Sequence, residues 1–222
     1  MAKLKLQRMT TPAGTAVWPW LNTPDTKFKP EGEYRVGVSL PRSAPGVAEF
    51  MSTLEAAFDA AQTPVGNNQL LDVKGKIKRA DVPWKDELDE KDQPTGNVVL
   101  NLKMRAKIQK KEGGVVVKEW DQRPDLFDAK LAPLDAQKVR VGGGSTVRVN
   151  FEVMPFYTKL VGAGISLRMR AVQILNLVEF QRGTGASYGF GEEDGFAATE
   201  APNSEAVPAS AAPNSTGAEP DF

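Results

Sequence analysis

The chain contains no cysteine and no histidine. Without thiols there is no disulfide framework, no thiolate zinc site and no cysteine nucleophile. Without imidazole there is no Ser-His-Asp triad and no HExxH metalloprotease site. The lack of disulfides is compatible with a reducing cytosol. No apolar run approaches ~18 residues, so no segment reads as a membrane span. The first residues, MAKLKLQRMTTPAG, lack an apolar core of signal-peptide length. Bases are missing from the C-terminal end. After Arg182 come Glu192, Glu193, Asp194, Glu200, Glu205, Glu219 and Asp221, with no Lys or Arg among them. The formal net charge of zero, from 28 bases and 28 acids, therefore conceals a body (1–182) of about +7 and an acidic tail. Such asymmetry points to a polyanion partner for the body.

What is present is alternation. In residues 100–109, LNLKMRAKIQ, Leu100, Leu102, Met104, Ala106 and Ile108 fall on one face of a strand. Asn101, Lys103, Arg105, Lys107 and Gln109 fall on the other, because successive strand side chains point to opposite faces. The polar face is a comb of three cations without a carboxylate. Two readings of it stand: a solvated face, or a surface for an anion.

The same period predicts strands over 3–9, 33–40, 147–153 and 165–180. The last changes phase at AVQILNLVEF, which implies a bulge or bend. Trp18 and Trp20 flank Pro19 in an extended segment, which reads as an edge or loop because proline cannot donate to a ladder. Gly113-Gly114 turns a hairpin over 98–119. Residues 85–96 read as an acidic loop and 121–141 as loop. Helical spacing appears over 47–62, where Val47, Phe50, Met51, Leu54, Ala57, Phe58 and Ala61 form one apolar stripe. Such a lone amphipathic helix caps or plugs a sheet. The glycines at 142–144 could suggest a phosphate cradle, but they lack the following Lys-Ser/Thr and helix of a P-loop, so they read as a turn. Several strands, one helix and no βαβ alternation predict an all-β fold with one capping helix. A small antiparallel barrel, the OB-fold, is the member of that class best known for oligonucleotides. The composition divides the chain into a domain at 1–182 and a disordered acidic tail at 183–222.

Residues 142–180 resemble the single-stranded DNA-binding proteins of short-tailed lytic bacteriophages. The carrying features are the turn at 142–145, Pro155-Phe156, Val161-Gly162-Ala163 and Leu177-Val178-Glu179. The start is similar too, with Gly14-Thr15-Ala16 before a paired-aromatic segment closed by Pro24-Asp25. So is the end, Glu219-Pro220-Asp221-Phe222. The resemblance implies a five-stranded OB-fold body and binding to single-stranded DNA without sequence preference. It also implies a role in phage DNA replication, recombination and repair in the cytoplasm of the infected host. The tail, through Asp221 and Phe222, would contact phage DNA polymerase and helicase-primase. A homodimer is a further implication. No cofactor is expected.

Binding of that kind needs cations along the phosphates and aromatic faces under the bases. Lys76, Lys78, Arg79, Lys103, Arg105, Lys107, Lys159, Arg168 and Arg170 are candidates for the first. Trp18, Trp20, Trp84, Phe156 and Tyr157 are candidates for the second, each of which could equally be core. Two other classes compete. A metal-dependent nuclease would draw on Asp86, Glu87, Asp89, Glu90 and Asp92. A phage structural or scaffold protein would turn its basic face to another protein.

Overall fold

A strand with one apolar face must bury it against another surface, and the computed structural model shows how this chain does so. It describes residues 6–179 together with Gly189, Gly191 and Glu193. Residues 1–5 and the proposed contact residues Asp221 and Phe222 lie outside the described residues. The fold below belongs to the first of two units into which the chain divides, Met1–Gln181.

The described residues are mostly β, with one α-helix. In chain order the strands are β1 (Gln7–Thr10), β2 (Gly14–Asp25), β3 (Glu33–Pro41), β4 (Trp84–Leu88), β5 (Pro94–Arg105), β6 (Lys107–Glu112), β7 (Val115–Asp121), β8 (Asp125–Phe127), β9 (Thr146–Thr158) and β10 (Gly162–Asn176). Helix α1 (Val47–Ala60) follows β3. Strand β9 pairs β2, β2 pairs β3, and β3 pairs β5, all antiparallel. Strand β10 pairs β5 in parallel and returns antiparallel to β9. The pairings thus run round a circuit of five strands. An odd circuit cannot alternate direction at every step, so one pairing must be parallel; this corrects the purely antiparallel expectation. The structure also has more strands than the five expected. Strands β1, β4 and β8 attach to β9, β5 and β10, and β6 with β7 forms a separate ribbon.

The alternation decides which side chains point inward. Val36, Val38, Leu40, Leu100, Leu102, Phe151, Leu167 and Met169 are buried inside. Helix α1 adds Val47, Met51, Leu54 and Phe58 to the same cluster. Each such side chain gains roughly 1.5–3 kcal/mol over exposure. The helix starts after Gly46, whose φ of 78° suits a residue without Cβ.

Three segments differ from expectation. Residues 85–88, read as part of an acidic loop, belong to edge strand β4; three charges in a row hide its alternation, and charges are what an edge strand carries. The 98–119 hairpin is broken at Ala106, after which the chain leaves the main sheet and turns back in the ribbon at Gly113 and Gly114, both with positive φ. Strand β8 interrupts the stretch 121–141. The turn at 142–145 is as expected: the buried Ser145 hydroxyl donates to the Gly142 carbonyl at 2.8 Å and accepts from Val178 N–H at 3.0 Å.

Candidate nucleic-acid interface

The outward positions of β2, β3, β5 and β4 line a cleft of about 690 Å³. Its floor lies over Gly37, where a Cβ would stand 3.2 Å from Val17. Along β3 and β5 the outward residues are Arg35, Asn101, Lys103 and Arg105, because their neighbours Val36, Leu102 and Met104 point into the core.

Trp18 owes its position to a local departure from the ladder. The β2–β3 register slips between Val17 and Trp20. Trp18 has a φ of 47°, which a bulky residue adopts at a cost of roughly 1–3 kcal/mol. The result is an indole that is 82% exposed beside the cleft. Beyond Thr15 strand β2 pairs with β3 alone, so the Trp-Pro-Trp segment is an edge, as Pro19 requires. Trp20 is 40% exposed, and Arg35 lies directly across from it. The Arg35 guanidinium is 6.0 Å from the indole and 2.8 Å from the buried Asp25 carboxylate.

The acids around the cleft are engaged internally. Glu33 pairs with Lys29, and Asp86 with Arg42 at 2.6 Å. Glu87 accepts hydrogen bonds from Ser39, Thr95 and Asn97. Asp89 accepts from the N–H groups of Lys91 and Gln93 within its own turn. Lys85, Lys103 and Arg105 make no side-chain hydrogen bond or ion pair with a described residue. The cleft therefore carries Lys85 and Lys103 beside the exposed Trp18, with Glu33 and Asp86 paired to Lys29 and Arg42 and the Glu87 charge held by neutral donors.

The remaining candidates fall elsewhere. Lys107 sits on the ribbon, 3.6 Å from Glu119. The Glu119 carboxyl is held below the usual range by a hydrogen bond from Gln109 and by Lys107. The segment carrying Lys76, Lys78 and Arg79 runs beside the start of β10. The Lys78 carbonyl accepts from Ala163 N–H and Ala80 N–H donates to the Ala163 carbonyl, both at 2.8 Å. Arg79 pairs with Asp59 at 2.6 Å and covers the Phe58 ring. Phe156 and Tyr157, half-buried, and the exposed Lys159 lie at the neighbouring β9–β10 turn. Trp84 packs edge-on to Phe58, 6.1 Å between centroids, against the core. Arg168 and Arg170 pair with Glu152 on the outer face of β9 and β10.

Thus Trp18 and Lys103 line one cleft, with Trp20 across from its Arg35 and Arg105 two positions beyond Lys103 on the same face of β5, and Lys76, Lys78, Arg79, Phe156, Tyr157 and Lys159 form a second group. Sequence reasoning missed Arg35, Lys85, Arg8 and Glu152. Arg35 was findable as the cation on the polar face of the 33–40 strand, and Glu152 as a lone acid in an apolar run.

Residues 13–177 match the family model described as single-stranded DNA-binding protein, bacteriophage T7. The single-stranded DNA-binding protein of enterobacteria phage T3 is 27% identical over 88% of this chain and 87% of its own length. The crystal structure of gp2.5, a single-stranded DNA-binding protein encoded by bacteriophage T7, is similar with a TM-score of 0.63 and 21% identity, over 87% of this chain and all of that one. The single-stranded DNA-binding protein from bacteriophage Enc34, in complex with single-stranded DNA, is similar with a TM-score of 0.51 and 16% identity, over 78% and 88% of the two chains.

Proposed function

The chain belongs to the single-stranded DNA-binding protein family of bacteriophage T7, and on that premise we propose that it binds single-stranded DNA without sequence preference in the β2–β3–β5 cleft. The observation that carries this reading is the juxtaposition of exposed Trp18 with Arg35 and Lys103 in the cleft, with exposed Trp20 directly across from Arg35 and with Glu33 and Asp86 paired to Lys29 and Arg42. Every base has a π-face, so indole platforms accept any sequence. Each stacked base is worth roughly 1–3 kcal/mol. Cations between the platforms neutralise phosphates and release counterions. In this reading the five-strand circuit is an OB barrel, residues 1–182 are the binding domain, and 183–222 are an acidic tail.

The protein is proposed to act as a non-enzymatic binder in phage DNA replication, recombination and repair, within the cytoplasm of the infected host. The tail, ending in Asp221 and Phe222, would recruit phage DNA polymerase and helicase-primase, and a homodimer fits the same reading. The test is a titration of oligo(dT) and of duplex DNA across salt. Binding to oligo(dT) is expected to be the tighter, because stacking needs unpaired bases, and to fall steeply with salt. A chain that leaves oligo(dT) unbound fails the reading and favours a scaffold role for the basic face.

A further inference from the structure

On the far side of Lys103 from Arg35, three arginines meet one carboxylate. Glu152 is 5% exposed on β9. Arg168 stands directly across from it on β10, and Arg8 directly across on β1. Arg168 donates from Nε at 3.0 Å and from Nη2. Arg8 donates from Nε at 3.1 Å. Arg170 joins them through a bulge. The β9–β10 register slips between Met169 and Ala171, leaving Arg170 as the extra residue, with its Nε 3.9 Å from Glu152. Bulges re-aim side chains in this way.

One arginine would neutralise one carboxylate. Here two positive charges are in surplus, and like charges held together repel. Glu152 offsets that repulsion and keeps the three guanidiniums convergent. The arginine side chains are 67%, 37% and 43% exposed for Arg8, Arg168 and Arg170, so donors remain open to solvent. Convergent guanidiniums suit phosphate oxygens, which they grip in pairs of hydrogen bonds. The group is continuous with the cleft: Arg168 is the register partner of Lys103, and Lys103 of Arg35.

We propose that Glu152 is a positioning residue that gathers Arg8, Arg168 and Arg170 into a phosphate subsite, onto which a bound single strand passes from the cleft across Lys103. This rests on the single-strand reading above. Its signature is a reversal of sign. Net charge alone says that Glu152→Gln, which removes a negative charge, tightens binding to a polyanion. Positioning says that it weakens binding, because the arginines spread apart.

The experiment titrates the full chain and its variants with oligo(dT) across salt, with thermal melting as a check of folding. Glu152→Gln is expected to bind several-fold more weakly, with a log–log slope shallower by roughly 0.7–1.4, the change for one or two phosphates no longer neutralised. Equal or tighter binding overturns the proposal while leaving the cleft reading intact. Should Glu152→Gln fail to fold, Arg170→Gln decides, because it spares the Arg8 and Arg168 pairs. A slope shallower by roughly 0.7 supports the subsite and an unchanged slope overturns it. A wild-type chain that does not bind oligo(dT) overturns the underlying reading instead.

Discussion

Arg35 lies across the β2–β3 ladder from Trp20 with its guanidinium 6.0 Å from the indole ring. Asp25, 2.8 Å away, holds it there. A cation beside an aromatic residue that is 40% exposed places a phosphate-binding group and a base-stacking group side by side. Trp18→Ala and Trp20→Ala should each weaken oligo(dT) binding by roughly 1–3 kcal/mol. Both should melt near the wild-type temperature, since both rings are largely outside the core. Tryptophan fluorescence should be quenched on titration. Trp84→Ala should do the opposite, lowering the melting temperature through lost packing against Phe58. A large stability loss in both cleft variants would show them to be core residues.

The comb divides at Ala106. Lys103 and Arg105 belong to the cleft strand, whereas Lys107 belongs to the ribbon and is paired with Glu119. Lys103→Ala and Arg105→Ala should each shallow the salt dependence of binding by roughly 0.7. Lys107→Ala should change it less. If the triple variant keeps both affinity and slope, the comb is a solvated face.

Strands are legible in the sequence where one face is buried. The alternation of 100–105 reappears residue by residue in the burial of β5, that of 33–40 reappears in β3 up to Val38, beyond which Ser39 is buried as well, and the phase change after Ala171 lies beside real register slips in β10. Helix α1 was legible because its stripe is unambiguous. Strand β4 was not, since an edge strand has no buried face to betray it. The break at Ala106 was hidden because burial alternates straight through it, up to Ile108. In the candidate site the exposed aromatics could be named, but the grouping could not. Arg35, Lys103 and Arg168 are far apart in the chain, and only the register makes them neighbours.

Acid should test the Glu152 group independently of DNA. Burial pushes the Glu152 carboxyl up, but hydrogen bonds and charge from Arg168, Arg8 and Arg170 outweigh it, so its pKa lies below the ordinary 4.5. A depressed folded pKa means that the ionised group adds stability above the unfolded value, lost as pH falls through the folded one. The stability difference between wild type and Glu152→Gln, from urea unfolding, should be full at neutral pH and shrink below about pH 4.5. An equal difference at pH 3 and pH 7 contradicts the assignment.

Gly162 fixes the basic segment 74–80 onto β10. Its φ is 107°, and a Cβ there would stand 2.3 Å from the Lys78 carbonyl oxygen. Gly162→Ala must move that backbone and break the bond that Lys78 accepts from Ala163. A loss of roughly 1–3 kcal/mol is expected on thermal or urea unfolding. If Lys76, Lys78 and Arg79 contribute to binding, oligo(dT) affinity should fall as well. A stable variant with unaltered affinity would mean that the segment accommodates the methyl and is not part of the track.

The acidic tail is proposed to compete with DNA and to carry a docking peptide. Seven carboxylates follow Arg182 with no base among them, on the same chain as a basic body. Tethering gives such a segment an effective concentration on the order of mM. On this proposal it would compete with a single strand for the same cations. The attraction decays within about 10 Å at 0.1 M salt, so the competition should be strongest in dilute buffer. Deleting residues 191–222 should raise oligo(dT) affinity at low salt and change it little at high salt. Phe222 would play a separate part. An apolar ring beside the Asp221 carboxylate would suit a pocket with one apolar wall and a cationic rim. Removing Phe222 alone leaves nearly all the charge in place, so DNA affinity should hardly change while binding to phage DNA polymerase or helicase-primase is lost. The two variants thus separate the roles. Weaker DNA binding after tail deletion would refute the competition, and partner binding that survives without Phe222 would refute the docking role.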